Sequence, residues 1–246
     1  DEFYSRPNLP ASFWPENPSI LAGRDLKAGG TWMGITTRGR FATLTNYRDP
    51  SNINPHAPSR GKLVQKYLES SLSTEEYMQN LLMEGGKYNG FNLLAGTWAD
   101  LYYFSNREML VRKVDKGIHG LSNSLIDVPW PKVAKGVKAL EQCLKAPELD
   151  IEQLFDMMLD REMPDDSELP STGVGKELER MLAPLFVESK DYGTRTTSVL
   201  LIDNNNYTRF WERSFDTLKH ESFSERYFEF FTEPNSASIT GGGAAC

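Results

Sequence analysis

The stretch Gly29-Gly30-Thr31-Trp32-Met33-Gly34-Ile35-Thr36-Thr37-Arg38-Gly39-Arg40-Phe41-Ala42-Thr43-Leu44-Thr45-Asn46-Tyr47 constrains the fold of this chain more than any other. Two runs rich in β-formers, Thr31 to Thr36 and Phe41 to Tyr47, flank Arg38-Gly39. A glycine between such runs supplies the positive φ that a tight reversal needs, so the stretch predicts a β-hairpin. Side chains alternate along a strand. Phe41, Thr43, Thr45 and Tyr47 therefore share one face of the second arm, and Ala42, Leu44 and Asn46 the other, which leaves Asn46 at the end of an otherwise apolar row. An amide there either satisfies nearby backbone groups or is presented to a cleft.

The rest of the chain surrounds this hairpin with alternating groups of elements. The first thirty residues carry Pro7, Pro10, Pro15 and Pro18 among Phe3, Tyr4, Phe13 and Trp14, and read as an irregular segment pinned by aromatic burial. After a loop over 49–59, Leu63, Val64, Tyr67 and Leu68 keep helical spacing. A second helix starts at Ser73, with Glu76 completing a capping box, and stops at Gly85-Gly86. A meander of strands follows: Phe91 to Thr97, Leu101 to Ser105, Leu110 to Val114 and Ile118 to Ser122. Pro129-Trp130-Pro131 opens a helix with Val133, Val137, Leu140 and Leu144 on one face, and Asp150, with Gln153 as its partner, caps the next, whose inward residues are Ile151, Leu154, Phe155 and Met158. An acidic loop over 163–175 and a short helix from Lys176 to Leu182 lead to three strands near Thr197 to Ile202, Tyr207 to Arg213 and Arg226 to Phe231. Strands in groups, helices in pairs and strands again describe an α+β protein of one domain, residues 1–232, with a disordered tail over 233–246.

Composition narrows the function classes. A formal net charge of -7 weighs against nucleic acid or an anionic membrane as the main partner. No run approaches the roughly 20 apolar residues of a membrane span, and Cys143 and Cys246 are too few for a disulfide framework, so a soluble, cytoplasmic protein is expected. Cys143 lies on the flank of an amphipathic helix and reads as a buried or half-buried small residue. His56, His119 and His220 have no Cys or carboxylate at metal-ligand spacing. Gly173-Val174-Gly175-Lys176 ends like a P-loop but has Glu177 where a magnesium-binding hydroxyl belongs and Pro170 where the first glycine belongs. No Gly-x-Ser-x-Gly elbow is present. What remains is a set of polar residues at or beside strand ends: Asp1, Asn46, Asn123 and Arg195.

Six blocks carry a resemblance. Asp1-Glu2-Phe3-Tyr4-x-Arg6-Pro7, Gly29-Gly30-Thr31-Trp32-x-Gly34, Leu44-Thr45-Asn46-Tyr47, Tyr88-Asn89-Gly90-Phe91-Asn92-Leu93, Gly120-Leu121-Ser122-Asn123 and Tyr192-Gly193-Thr194-Arg195-Thr196 together resemble, in order, the NRDE family. Of that family's Asn-Arg-Asp-Glu signature, Asp1-Glu2 is present, and members carry before it a first strand beginning Met-Cys. The resemblance implies a four-layer α-β-β-α sandwich similar to the N-terminal-nucleophile hydrolases, closest in pattern to cysteine amidases. Carried over by motif, Asp1 would orient the nucleophile's amine, Asn46 and Asn123 would position substrate or stabilise an oxyanion, and Arg195 would be the later arginine of the site. The nucleophile itself has no counterpart, since Cys246 offers a thiol without a free α-amine. An open reading frame starting about 20 residues upstream, one strand and a turn, is expected, together with an unpaired edge beside the hairpin where that strand would pair.

The resemblance also implies an intracellular protein connected with secretory-pathway organisation, in association with Golgi or mitochondria, and with movement of haem. Haem is then its cargo, and no metal or further cofactor is expected. The alternative is a cysteine amidohydrolase cleaving a small non-peptide amide.

Overall fold

The computed structural model describes residues 1–216 and 222–233. Nearly all of the expected tail over 233–246, with His220 and Cys246, lies outside the described residues. The strands are β1 (Glu2–Phe3), β2 (Asn8–Trp14), β3 (Asn17–Asp25), β4 (Met33–Thr36) and β5 (Phe41–Asn46). Helices α1 (Gly61–Glu69) and α2 (Thr74–Glu84) precede β6 (Phe91–Gly96), β7 (Leu101–Ser105) and β8 (Leu110–Lys113). Helices α3 (Pro131–Cys143), α4 (Ile151–Met158) and α5 (Lys176–Met181) then lead to β9 (Tyr192–Gly193), β10 (Thr196–Ile202), β11 (Tyr207–Phe215) and β12 (Phe223–Phe231). The protein is α+β, and every strand pairing among the described residues is antiparallel.

Strands β2 to β8 form one seven-stranded sheet in chain order, β10 to β12 a three-stranded sheet, and β1 pairs with β9. The hairpin is β4–β5, with Gly39 at φ +75 in its turn. The reversal needs that left-handed backbone, which glycine adopts at little cost. Far from having an open edge, the hairpin lies inside the large sheet, with β3 on one side and β6 on the other. The expectation of an unpaired edge beside it is therefore corrected.

Three apolar clusters hold these elements together. In the first, Ile20, Ala22, Ala42, Leu93 and Phe104 of the large sheet pack against Leu63, Val64 and Tyr67 of α1 and Tyr77, Met78 and Leu81 of α2. The opposite face of the large sheet supplies Ala11, Leu21, Met33 and Ile35 to a second cluster, which they share with Leu200, Ile202, Phe210, Phe228 and Phe230 of the small sheet. In the third, Val199, Leu201 and Trp211 on the other face of the small sheet meet Leu140 and Cys143 of α3 and Leu154 and Phe155 of α4. Alternation along β10 divides its residues between the last two clusters, as the twofold repeat of a strand requires.

Several local expectations hold. Both bonds of the Ser73–Glu76 capping box form, Pro131 stands in the first turn of α3, and Cys143 is buried. Five others are corrected. The first thirty residues are largely β2 and β3. Pro10 is tolerated because β2 is an edge strand and its pairing slips between Leu9 and Ser12, where no ladder donor is required at that position. Opposite that slip, the Ala11 amide donates to Glu212 Oε1 at 2.6 Å and its carbonyl accepts from Arg226 Nη1 at 3.0 Å, so the backbone that leaves one ladder is satisfied by the other sheet.

The Ile118 to Ser122 strand does not form. Instead, the Gly120 amide donates to Asp127 Oδ1 at 2.9 Å and the Asp127 amide to the Gly120 carbonyl at 2.8 Å, closing a loop on itself. Asp150 caps α4 by accepting from the Glu152 amide at 2.9 Å, not through Gln153, and Met157 rather than Met158 turns inward. Leu144, expected on the buried face of α3, is 53% exposed because the helix ends at Cys143.

Candidate functional site

The site is assembled at one end of the hairpin. β5 ends at Asn46, and the chain turns away from the sheet through Tyr47 and Arg48. The loop between β8 and α3 comes alongside: Asn123 Nδ2 donates to the Asn46 carbonyl at 2.9 Å, and the Arg48 amide donates to the Asn123 carbonyl at 2.7 Å. Asn46 and Asn123 are thus brought together, through the Asn46 backbone, with the Asn46 side chain exposed. Beneath them lies a buried network on the opposite face of β6. Asn92, with no exposed surface, donates to Thr45 Oγ1 at 3.1 Å and to the Ser124 carbonyl at 2.8 Å, and accepts from the Tyr103 hydroxyl at 2.8 Å. The Ile126 amide donates to that same hydroxyl at 3.3 Å. This network fixes the loop that presents Asn123, since Asn92 and Tyr103 are buried with partners they would otherwise lose.

Asp1 and Arg195 meet around the β1–β9 pair. The Asp1 carboxylate accepts from Thr194 Oγ1 at 2.7 Å, and Thr194 Oγ1 accepts from the Val187 amide at 2.9 Å. Arg195 turns its guanidinium to the start of the chain, donating to the Phe3 carbonyl at 3.3 Å, to the Arg6 carbonyl, and to Asn8 Oδ1 at 2.5 Å. Arg195 therefore holds the backbone that carries Asp1 and Glu2. Burial pushes its guanidinium below the usual arginine range.

Between these two pairs stand cations that the sequence reading did not single out. Arg60, at the start of α1, donates to the Gly90 carbonyl at 2.8 Å and is held below its ordinary range chiefly by burial. Lys132, in the first turn of α3, donates to the Leu182 carbonyl at 2.9 Å. Burial first, and the neighbouring charge of Arg48 second, push its ammonium down to about 8. Arg48 meets Glu179 of α5 at 2.6 Å in an ion pair with both side chains largely buried, and its guanidinium lies over the Trp130 ring at 4.9 Å. Tyr192 is raised by burial and then by Glu2, against the opposing fields of Arg48 and Arg60. These mutual fields place Glu2, Arg48, Arg60, Lys132, Tyr192 and Arg195 in one neighbourhood, which the Asp1 carboxylate joins through Thr194.

The site thus combines amide donors, a carboxylate held by a threonine, and four cations in a chain that is acidic overall. Such a set can bind an anionic or carbonyl-bearing ligand through charge-assisted hydrogen bonds. Among the described residues no three His, Cys, Asp or Glu side chains gather where they could hold a metal ion. His119 is engaged otherwise, its Nδ1 lying 2.7 Å from Asp127 Oδ2. Among the described residues no helix is long and apolar enough to cross a membrane. Arg48 and Lys132 carry no motif. The one local signal was their placement, Arg48 two residues past Asn46 and Lys132 between the two prolines' helix start and its apolar face.

The model of a family described as Transport and Golgi organisation 2 matches residues 1–217. The bovine Transport and Golgi organization protein 2 homolog is 38% identical over 87% of this chain and 83% of its own length. The human homolog is 36% identical over 94% of this chain and 89% of its own. The Drosophila melanogaster Transport and Golgi organization protein 2 is 28% identical over 93% and 89%. With most of its length matched by that family model and by relatives above 30% identity, the chain belongs to the Transport and Golgi organisation 2 family.

Proposed function

We propose that this protein serves transport and Golgi organisation by handling a small-molecule ligand at the site around Asp1, Asn46, Asn123 and Arg195. The observation that carries the reading is membership in a family whose relatives are named for that process. The protein acts in the cytoplasm, in association with the Golgi or with mitochondria. Expressing it in Drosophila cells depleted of their own relative tests this directly. Restored Golgi morphology and restored secretion of a reporter are expected, and an expressed, folded chain that restores neither overturns the reading.

Haem is the cargo put forward for this site. Its two carboxylates match the cations at Arg60, Lys132 and Arg195, which lack a carboxylate at ion-pair distance among the described residues. Titrating haem into the purified chain should give a saturable Soret shift that weakens when Arg195 is replaced by Ala. A linear response without saturation rules haem out.

A second reading has its own support. The three apolar clusters run from helices to large sheet, from large sheet to small sheet, and from small sheet to helices. That order favours a four-layer α-β-β-α sandwich of the N-terminal-nucleophile hydrolase kind, on which Asn46 and Asn123 would stabilise an oxyanion and Asp1 would orient an amine. The native protein, tested against a panel of small amides, should then show turnover that falls at least tenfold in Asn123→Ala. Turnover unchanged by Asn46→Ala, Asn123→Ala and Arg195→Ala together removes the amidohydrolase reading.

A further inference from the structure

We infer that Lys132 and Arg48 form an anion subsite that takes one oxygen of a ligand's acid group, carboxylate or phosphate. The inference rests on the reading of this neighbourhood as a ligand site. Lys132, Arg48, Trp130, Pro170, Leu182 and Ala183 line a small cavity of about 10 Å³. A water-sized group needs roughly 10–15 Å³ of such space. The cavity therefore admits a single oxygen and leaves the body of the ligand outside.

Charge supplies the second argument. Arg48 is satisfied by Glu179, but Lys132 meets no carboxylate at ion-pair distance among the described residues and donates instead to the neutral Leu182 carbonyl. A partly buried ammonium beside a second cation is costly unless an opposite charge compensates it. Burial and Arg48 accordingly hold Lys132 near 8, so that the proton is bound loosely in the absence of an anion. An acid oxygen in that cavity would accept from Nζ, offset the like-charge repulsion and tighten that proton. The indole of Trp130 and the side chains of Pro170 and Ala183 keep the remaining wall apolar, which strengthens the attraction by lowering the local dielectric.

The test uses the full chain labelled with nitrogen-15, titrated with inorganic phosphate and separately with butyrate at constant ionic strength, with chloride as the blank. Saturable shifts of the Lys132, Val133 and Ala183 amides are expected from at least one of the two anions. Phosphate alone identifies a phosphate-bearing ligand, butyrate alone a carboxylate, and either supports the subsite. Lys132→Met should weaken binding roughly tenfold or more, the loss of one charged hydrogen bond, while Lys132→Arg keeps it. Ala183→Val fills the cavity, retains both cations and should weaken binding as well, which covers a Lys132→Met chain that does not fold. Shifts that chloride reproduces, or binding that survives Ala183→Val and Lys132→Met unchanged, overturn the inference. A chain that restores the Golgi yet binds neither anion sinks the subsite alone, and one that binds but restores nothing sinks the proposed function alone.

Discussion

Glu179 couples Arg48 to Thr172. One of its carboxylate oxygens accepts from Arg48 Nη1 at 2.6 Å, and the other accepts from the Thr172 amide at 2.7 Å and the Thr172 hydroxyl at 2.6 Å. The segment before α5 is thereby anchored to the turn that follows Asn46. With Glu179 only 3% exposed, the pair is buried and its members depend on each other.

Removing one member of a buried ion pair leaves the other charge unpaired, at a cost of about 3–5 kcal/mol. Glu179→Ala should lower stability by about that amount, seen as a shift of the urea midpoint at constant slope. Replacing both partners, Arg48→Met with Glu179→Leu, should cost clearly less than the sum of the single changes. A single-mutant loss under about 1 kcal/mol would mean that solvent reaches the pair.

Tyr103→Phe removes only the hydroxyl shared by Asn92 Oδ1 and the Ile126 amide. Leaving those buried groups unpaired should cost about 1–3 kcal/mol. Because the network holds the loop carrying Asn123, hydrogen exchange at Ile126 should quicken more than at Leu93 of the neighbouring strand. Equal acceleration at both would show global destabilisation instead.

The His119–Asp127 pair makes the same loop sensitive to pH. The hydrogen bond to Asp127 raises the histidine above its ordinary 6.5, against the opposing effect of burial. A folded-state pKa above the unfolded one means that the stabilisation is complete below the unfolded value and is lost as pH rises through the folded value. Thermal midpoints of the native chain should therefore fall from about pH 6 to pH 8 by more than those of Asp127→Asn. The pair is substantially exposed, so the difference should be small, and identical profiles in the two proteins would refute the coupling.

Gly30 and Gly86 separate close packing from simple flexibility. A Cβ on Gly30 would come within 2.6 Å of the Gly61 carbonyl oxygen and 2.8 Å of the Lys62 amide, both backbone at the start of α1. Gly30→Ala should push α1 and Arg60 away from the sheet and cost about 1–3 kcal/mol. A Cβ on Gly86 would meet nothing within 4 Å. Gly86→Ala should be neutral or stabilise by up to about 1 kcal/mol through the unfolded chain. Comparable losses at both positions would contradict the packing argument.

How far the fold was legible depends on the range of the interaction that forms each element. The β4–β5 hairpin, the capped start of α2 and the start of α3 at Pro131 each rest on neighbours a few residues apart. By contrast, β2 was hidden by Pro10, because the partners that satisfy Ala11 stand in β11 and β12, about two hundred residues away. The Ile118 to Ser122 run has a strand's composition, yet Asp127 claims the Gly120 amide and closes a loop in its place.

The candidate site divides in the same way. Asp1, Asn46, Asn123 and Arg195 could be picked out because each sits in a block that resembles a known family, and that resemblance is now family membership. Their joining is tertiary: the Asn123 amide reaches the Asn46 carbonyl across 77 positions, and Asp1 meets Thr194 across 193. Lys132 and Arg48 carry no motif, and their placement beside Asn46 and at the start of α3 is the one local signal they have. A lysine in a first helical turn is ordinary on a surface, and only the packing of α3 against Leu182 and of Trp130 against Arg48 removes the water that would have made it so. Sequence by itself determined the family, the hairpin and the polar residues at strand ends, all carried by local order along the chain. Burial decided the rest, since the properties of a charge depend on what surrounds it in space.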